Sequence, residues 1–136
     1  MANYKIEDLE GVGPVLGAKF RNAGVNNTDG LLKNTKTKKQ RKDLAEKTGI
    51  SEEKVLKFAN MVDLYRIKGI GSEFAELLEA AGVDTVPELA QRNAENLTKK
   101  MEEVNLDKKL VRRTPAIKEV EKWVAQAKEI PRALEY

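Results

Sequence analysis

Any chemistry in this chain has to come from backbone amides and basic side chains. Two stretches, Leu9-Glu10-Gly11-Val12-Gly13-Pro14 and Ile67-Lys68-Gly69-Ile70-Gly71-Ser72, each set one apolar residue between two glycines ahead of about ten helix-compatible residues. Glycines in such a turn are expected to take positive φ and let the backbone approach a neighbour closely, which turns Val12 and Ile70 inward. The helix that follows begins with N–H groups lacking an intrahelical acceptor, and donors converging in this way suit a phosphate. The backbones of Gly11, Val12 and Gly13, and of Gly69, Ile70 and Gly71, are therefore candidate anion sites. The competing reading is that the glycines only permit close helix packing.

Counter-charge is distributed unevenly around the two turns. The helix after the first carries Lys19 and Arg21 and no acid, whereas the helix after the second carries Glu73, Glu76 and Glu79. Ahead of the turns the signs reverse, with Asp8 and Glu10 before the first and Arg66 and Lys68 before the second. Residues 33–42 then supply Lys33, Lys36, Lys38, Lys39, Arg41 and Lys42 without an acid. Each such cation that neutralises a phosphate releases counterions and adds salt-dependent affinity, so the first turn and this basic run are favoured together. Lys108, Lys109, Arg112 and Arg113 form a comparable cluster later in the chain.

Much other chemistry is excluded. The chain has no histidine and no cysteine, which removes the commonest general base and metal ligand, every thiolate nucleophile and any cysteine-ligated metal. Glu52-Glu53 and Glu102-Glu103 are sequence neighbours that face different directions on a helix, and read as surface rather than as a metal site. Gly11-Val12-Gly13-Pro14-Val15-Leu16-Gly17 misses the dinucleotide fingerprint, because the third glycine comes one place late and no strand precedes it. Trp123, on a helix with an apolar stripe, is expected in the core, and Tyr4, Tyr65 and Tyr136 make no stacking platform. We therefore expect no catalysis, no cofactor and no metal.

The elements that must position these groups repeat. Residues 11–31 overlay 69–89 without a gap at an offset of 58, with identical pairs Gly11/Gly69, Gly13/Gly71, Ala23/Ala81, Gly24/Gly82, Val25/Val83 and Leu31/Leu89. The spacing predicts helices over about 14–23, 38–48, 52–67, 72–81, 86–92, 93–104 and 115–129, a short helix over 4–9, a further turn or short helix over 106–110, and a short helix capped by Asn27. Thr85 and Thr114-Pro115 are further expected caps. No segment alternates strongly enough for a strand, so the fold class is all-α, in halves of about 1–62 and 63–136 joined through helix 52–67. With a net charge of +3, no apolar leader and no membrane-length apolar run, the expected setting is the cytoplasm, away from membranes.

The repeated unit resembles the helix-hairpin-helix motif in a SAM-like helical domain, here duplicated. The order of residues 59–71, then 80–90, then Arg112-Arg113-Thr114-Pro115 and Trp123 resembles a family of small tandem helix-hairpin-helix proteins catalogued as a domain of unknown function. The resemblance implies non-sequence-specific contact with the nucleic-acid backbone, most naturally duplex DNA. Two other partners stay open at this point: a protein, in a scaffold whose turns are purely structural, and structured RNA, including ribosomal RNA. The oligomeric state is not legible.

Overall fold

The computed structural model describes residues 3–136, and it is all-α. Among the described residues the helices are α1 (Gly13–Asn22), α2 (Thr28–Lys33), α3 (Lys38–Thr48), α4 (Glu52–Leu64), α5 (Ser72–Ala80), α6 (Val86–Ala90), α7 (Ala94–Lys108) and α8 (Ile117–Glu129), with one 3-10 turn at Ile6–Asp8. The chain divides into two compact units, residues 3–63 with Arg132–Tyr136, and Leu64–Pro131. The last residues, read from sequence with the second half, thus pack with the first.

In the first unit α1 and α3 stop where glycine allows it. Gly24 at φ 89° and Gly49 at φ 73° take the left-handed turn that other residues resist. α2 and α3 start on side-chain caps: Asn27 Oδ1 accepts the Gly30 N–H at 2.8 Å, and Thr37 and Gln40 exchange bonds of 3.0 and 3.1 Å in a capping box. The N-terminal segment pairs with the α1–α2 connection, Ile6 N–H donating to Asn26 O at 3.1 Å and Thr28 N–H to Tyr4 O at 2.9 Å. Ile6, Leu9, Phe20, Leu31 and Phe58 fill the core, where Phe20 meets Phe58 edge-on at 6.1 Å between ring centroids. The C-terminal segment closes this unit: Leu134 is buried, Glu135 N–H donates to Lys36 O at 2.7 Å, and Tyr136 Oη donates to Asn60 Oδ1 at 2.8 Å.

In the second unit α6 and α7 pack on α8, and α5 on α7. Thr85 caps α6 through the Glu88 N–H at 3.1 Å, and Asn93 caps α7 through the Asn96 N–H at 3.0 Å. The buried stripe of α8 is Val120, Trp123, Val124 and Ala127, and Trp123 meets Phe74 at 5.2 Å between ring centroids.

Three local expectations change. α4 ends at Leu64 rather than near 67, because the chain turns there through Ile67 N–H to Leu64 O at 3.1 Å. Residues 106–108 belong to α7, and the helix ends at Lys109 with φ 52°. The cap of α8 is not Thr114: Glu119 reaches back to accept the Ala116 N–H at 2.9 Å.

Candidate nucleic-acid interface

The backbone around the two glycine pairs follows one plan. Val12 N–H donates to Leu9 O at 3.0 Å and Ile70 N–H to Ile67 O at 3.1 Å; Val25 N–H returns to Phe20 O and Val83 N–H to Leu78 O, both at 2.9 Å. Gly11 and Gly69 take φ of 87° and 97°, and Val12 and Ile70 are buried as the pattern requires. Two expectations fail here. The amides of Val12 and Ile70 are spent inside their own turns, so neither is a free donor. Gly71 sits at φ −109°, ordinary extended backbone, whereas its counterpart Gly13 sits at φ 65°.

What surrounds the first turn is acidic. The shallow concavity at its mouth is lined by Glu7, Asp8, Leu9, Glu10, Gly11, Val12 and Gly13. Pro14, in the first turn of α1, removes one donor. Arg21, expected to supply charge, is committed to Glu7: Nη2 donates to Oε1 at 2.7 Å and Nε to Oε2. That guanidinium holds the Glu7 carboxyl at about 2 against an ordinary 4.5, and the pair presents little net charge. Lys19 is exposed and makes no ion pair among the described residues.

The second turn is braced from α8. Lys68 N–H donates to Gln126 Oε1 at 2.9 Å and Gln126 Nε2 donates back to Lys68 O at 3.2 Å, a two-bond clamp of side-chain amide on backbone. One helical turn before Gln126, Trp123 lies so close that a Cβ on Gly69 would stand 2.9 Å from its Nε1. Lys68 and Gly69 remain exposed, Gly71 half-buried. Arg66 is turned away, its Nη2 donating to Pro131 O at 2.6 Å.

Of the basic run, Lys33, Lys36, Lys38, Lys39 and Lys42 are exposed, and none forms an ion pair among the described residues. Arg41 does not belong with them. It is buried, its Nη1 donating to Thr35 O at 2.8 Å and Lys36 O at 3.2 Å and its Nη2 to Glu135 O. A guanidinium has donors to satisfy wherever it is buried, and here backbone carbonyls satisfy them, so Arg41 shapes the loop that carries Lys36 rather than facing a ligand. In the second unit, Arg113 pairs with Glu119 at 3.1 Å and lies over the Phe74 ring at 5.6 Å, leaving Lys108, Lys109 and Arg112 exposed.

Among the described residues no cluster of acids could hold a metal ion, and no helix is long and apolar enough to cross a membrane. Sequence reasoning missed Glu7 and Gln126. Glu7 meets Arg21 from fourteen residues away, beyond helical spacing. Gln126 carried one weak signal, its place three residues after Trp123, on the face of α8 that turns inward.

Fold and surface together define a small all-helical protein of two glycine-turn units, with basic side chains outside. Residues 10–130 match the family described as a domain of unknown function, DUF4332, and the chain belongs to it. No curated protein and no solved structure matches.

Proposed function

We propose that the protein binds nucleic acid, duplex DNA foremost, through its phosphates and without reading sequence, as a tandem helix-hairpin-helix module. The observation that carries this is the set of exposed, unpaired lysines Lys33, Lys36, Lys38, Lys39 and Lys42. Lys38 and Lys39 open α3, the positive end of the helix dipole, where cations are disfavoured. Lysines crowded at that end cost stability, and a polyanion relieves the cost. Lys68, Gly69 and Gly71 add a second contact, while the acid-lined first turn contributes least. The hydrogen bonds that recur at the offset of 58 support the reading of both turns as helix-hairpin-helix units. No catalytic step is part of this function, and the cytoplasm is its proposed setting.

The test is fluorescence anisotropy with a mixed-sequence duplex across a salt series. About four or five neutralised phosphates give log K against log salt a slope of roughly −4. The triple variant Lys36→Gln, Lys38→Gln, Lys39→Gln is expected to flatten that slope by about 2 to 3 and to leave folding intact, since all three side chains are exposed. Absence of binding at low salt overturns the proposal in favour of a protein scaffold. Tighter binding of structured RNA than of duplex at equal salt corrects the partner.

A further inference from the structure

Trp123 is 98% withdrawn from solvent, at 2% relative exposure, and a buried indole N–H normally finds an acceptor. This one has none among the described residues: it makes a ring contact with Phe74, and no hydrogen bond. Nor is its nitrogen one of the fully sealed polar atoms. It lies beside Gly69, where any side chain would collide with it. The neighbouring peptide is held in place by the two-bond clamp from Gln126 to Lys68, so α8 presents a donor and a brace to the same turn. Beyond the turn, Gly71 is the residue before α5, whose first N–H groups also lack intrahelical acceptors.

We infer that the Trp123 indole N–H is a phosphate ligand, donating to an oxygen of the nucleic-acid backbone seated against Gly69 and ahead of α5. This rests on the function proposed above and adds a residue to it. Exposed Lys68 and Glu73 flank the turn with opposite charges, so the phosphate is held there by neutral donors more than by net charge. Glycine at 69 is explained twice, by its φ of 97° and by the close approach of the indole that a Cβ would block.

A neutral donor leaves a signature different from a lysine's. Trp123→Phe keeps an aromatic core and removes the N–H; affinity for duplex is expected to fall about fivefold to tenfold, with the salt slope unchanged because no counterion is released. Because Trp123 is the single tryptophan of the chain, the wild-type protein reports directly: one indole N–H signal in a nitrogen-15 correlation spectrum, expected to shift downfield on titration with duplex and, more weakly, with inorganic phosphate. That reading requires no variant to fold. An indole signal unmoved by a duplex that does bind, or a folded Trp123→Phe protein with wild-type affinity, overturns the ligand and leaves the general function standing. A shift with inorganic phosphate but no duplex binding upholds the site and overturns the general function. A still signal with no duplex binding overturns both.

Discussion

The Gly11-Val12-Gly13 and Gly69-Ile70-Gly71 turns share their hydrogen bonds and differ in almost everything around them. In both, the central apolar residue is buried and its amide closes the turn onto the residue three before. The first then opens onto Glu7, Asp8 and Glu10, and its nearest arginine is neutralised by one of them. The second is faced by an indole donor, a side-chain amide clamp and an exposed lysine. A glycine pattern specifies a bend; the side chains that reach it from elsewhere decide which charge it attracts. Judged by charges within the adjacent helix, the first turn is the better anion site, and judged by what folds against it, the second is.

The largest effect should come from the segment only the first unit possesses. Removing residues 132–136 exposes the Leu134 site and deprives buried Arg41 of one carbonyl acceptor. Burial of one Leu is worth about 1.5–3 kcal/mol and an unsatisfied buried donor costs about 1–3 kcal/mol, so a loss of about 3–5 kcal/mol is expected in the first unit. Hydrogen exchange by residue should show protection falling across Lys36–Thr48 and remaining unchanged across Ser72–Lys108. Uniform loss in both would show that the units do not unfold separately.

Next come the glycines themselves. Alanine at Gly69 is strained by φ 97° and meets Trp123 Nε1 at 2.9 Å, whereas alanine at Gly11 is strained by φ 87° but meets only Phe58 Cε1 at 3.3 Å. Strained φ costs on the order of 1–3 kcal/mol, and the rigid indole adds to it at 69. Urea unfolding should give about 3 kcal/mol for Gly69→Ala and about 2 kcal/mol for Gly11→Ala. Equal losses would mean that the indole moves aside freely.

Charge gives a smaller, sharper contrast. If carboxylates are what closes the first turn to anions, Asp8→Asn with Glu10→Gln should tighten duplex binding about threefold to tenfold at low salt, the gain shrinking as salt rises. The matching change at the second turn, Lys68→Gln, should weaken binding and reduce the salt slope by about 1. No change in the first case would make the first turn a packing device, whatever its surroundings.

These contrasts also mark how far the sequence could be read. Several helix starts and stops were legible because each is a local event: Asn27 and Thr85 accept N–H groups three residues ahead, and Gly24, Gly49 and Gly82 adopt the φ that ends a helix; Thr37 and Asn93 cap in the same way without having been singled out. The C-terminal part of α7 was misread because apolar Leu106 suggests a new inward turn, yet it is 80% exposed. The helix is closed instead by a lysine at positive φ, while Asn105 clasps Val111 through two bonds of 3.0 Å. The site was less legible, since its determinants are tertiary. Arg41 is indistinguishable from Lys38 or Lys42 in the sequence, and the carbonyls that make it structural include one 94 residues away. Nothing local says that Gln126 will grip Lys68 at a separation of 58.

The smallest effect isolates the ion pair that removes Arg21 from the first turn. Glu7 titrates at about 2 in the folded protein and near its ordinary 4.5 when unfolded. A depressed carboxyl pKa stabilises the fold above the unfolded value and loses that contribution as pH falls from 4.5 toward 2. The pair is solvent-exposed, where such contacts are screened by water and salt, so the stability change is slight and is best read as a difference. The gap in urea midpoint between the wild type and Arg21→Gln should be open at neutral pH and close through that acidic interval. The same substitution uncouples Glu7 and adds a bare carboxylate to the mouth of the first turn, so duplex affinity should fall slightly although Arg21 touches no phosphate. A large fall instead, with a salt slope reduced by about 1, would identify Arg21 as a phosphate contact and restore the first turn as the anion site.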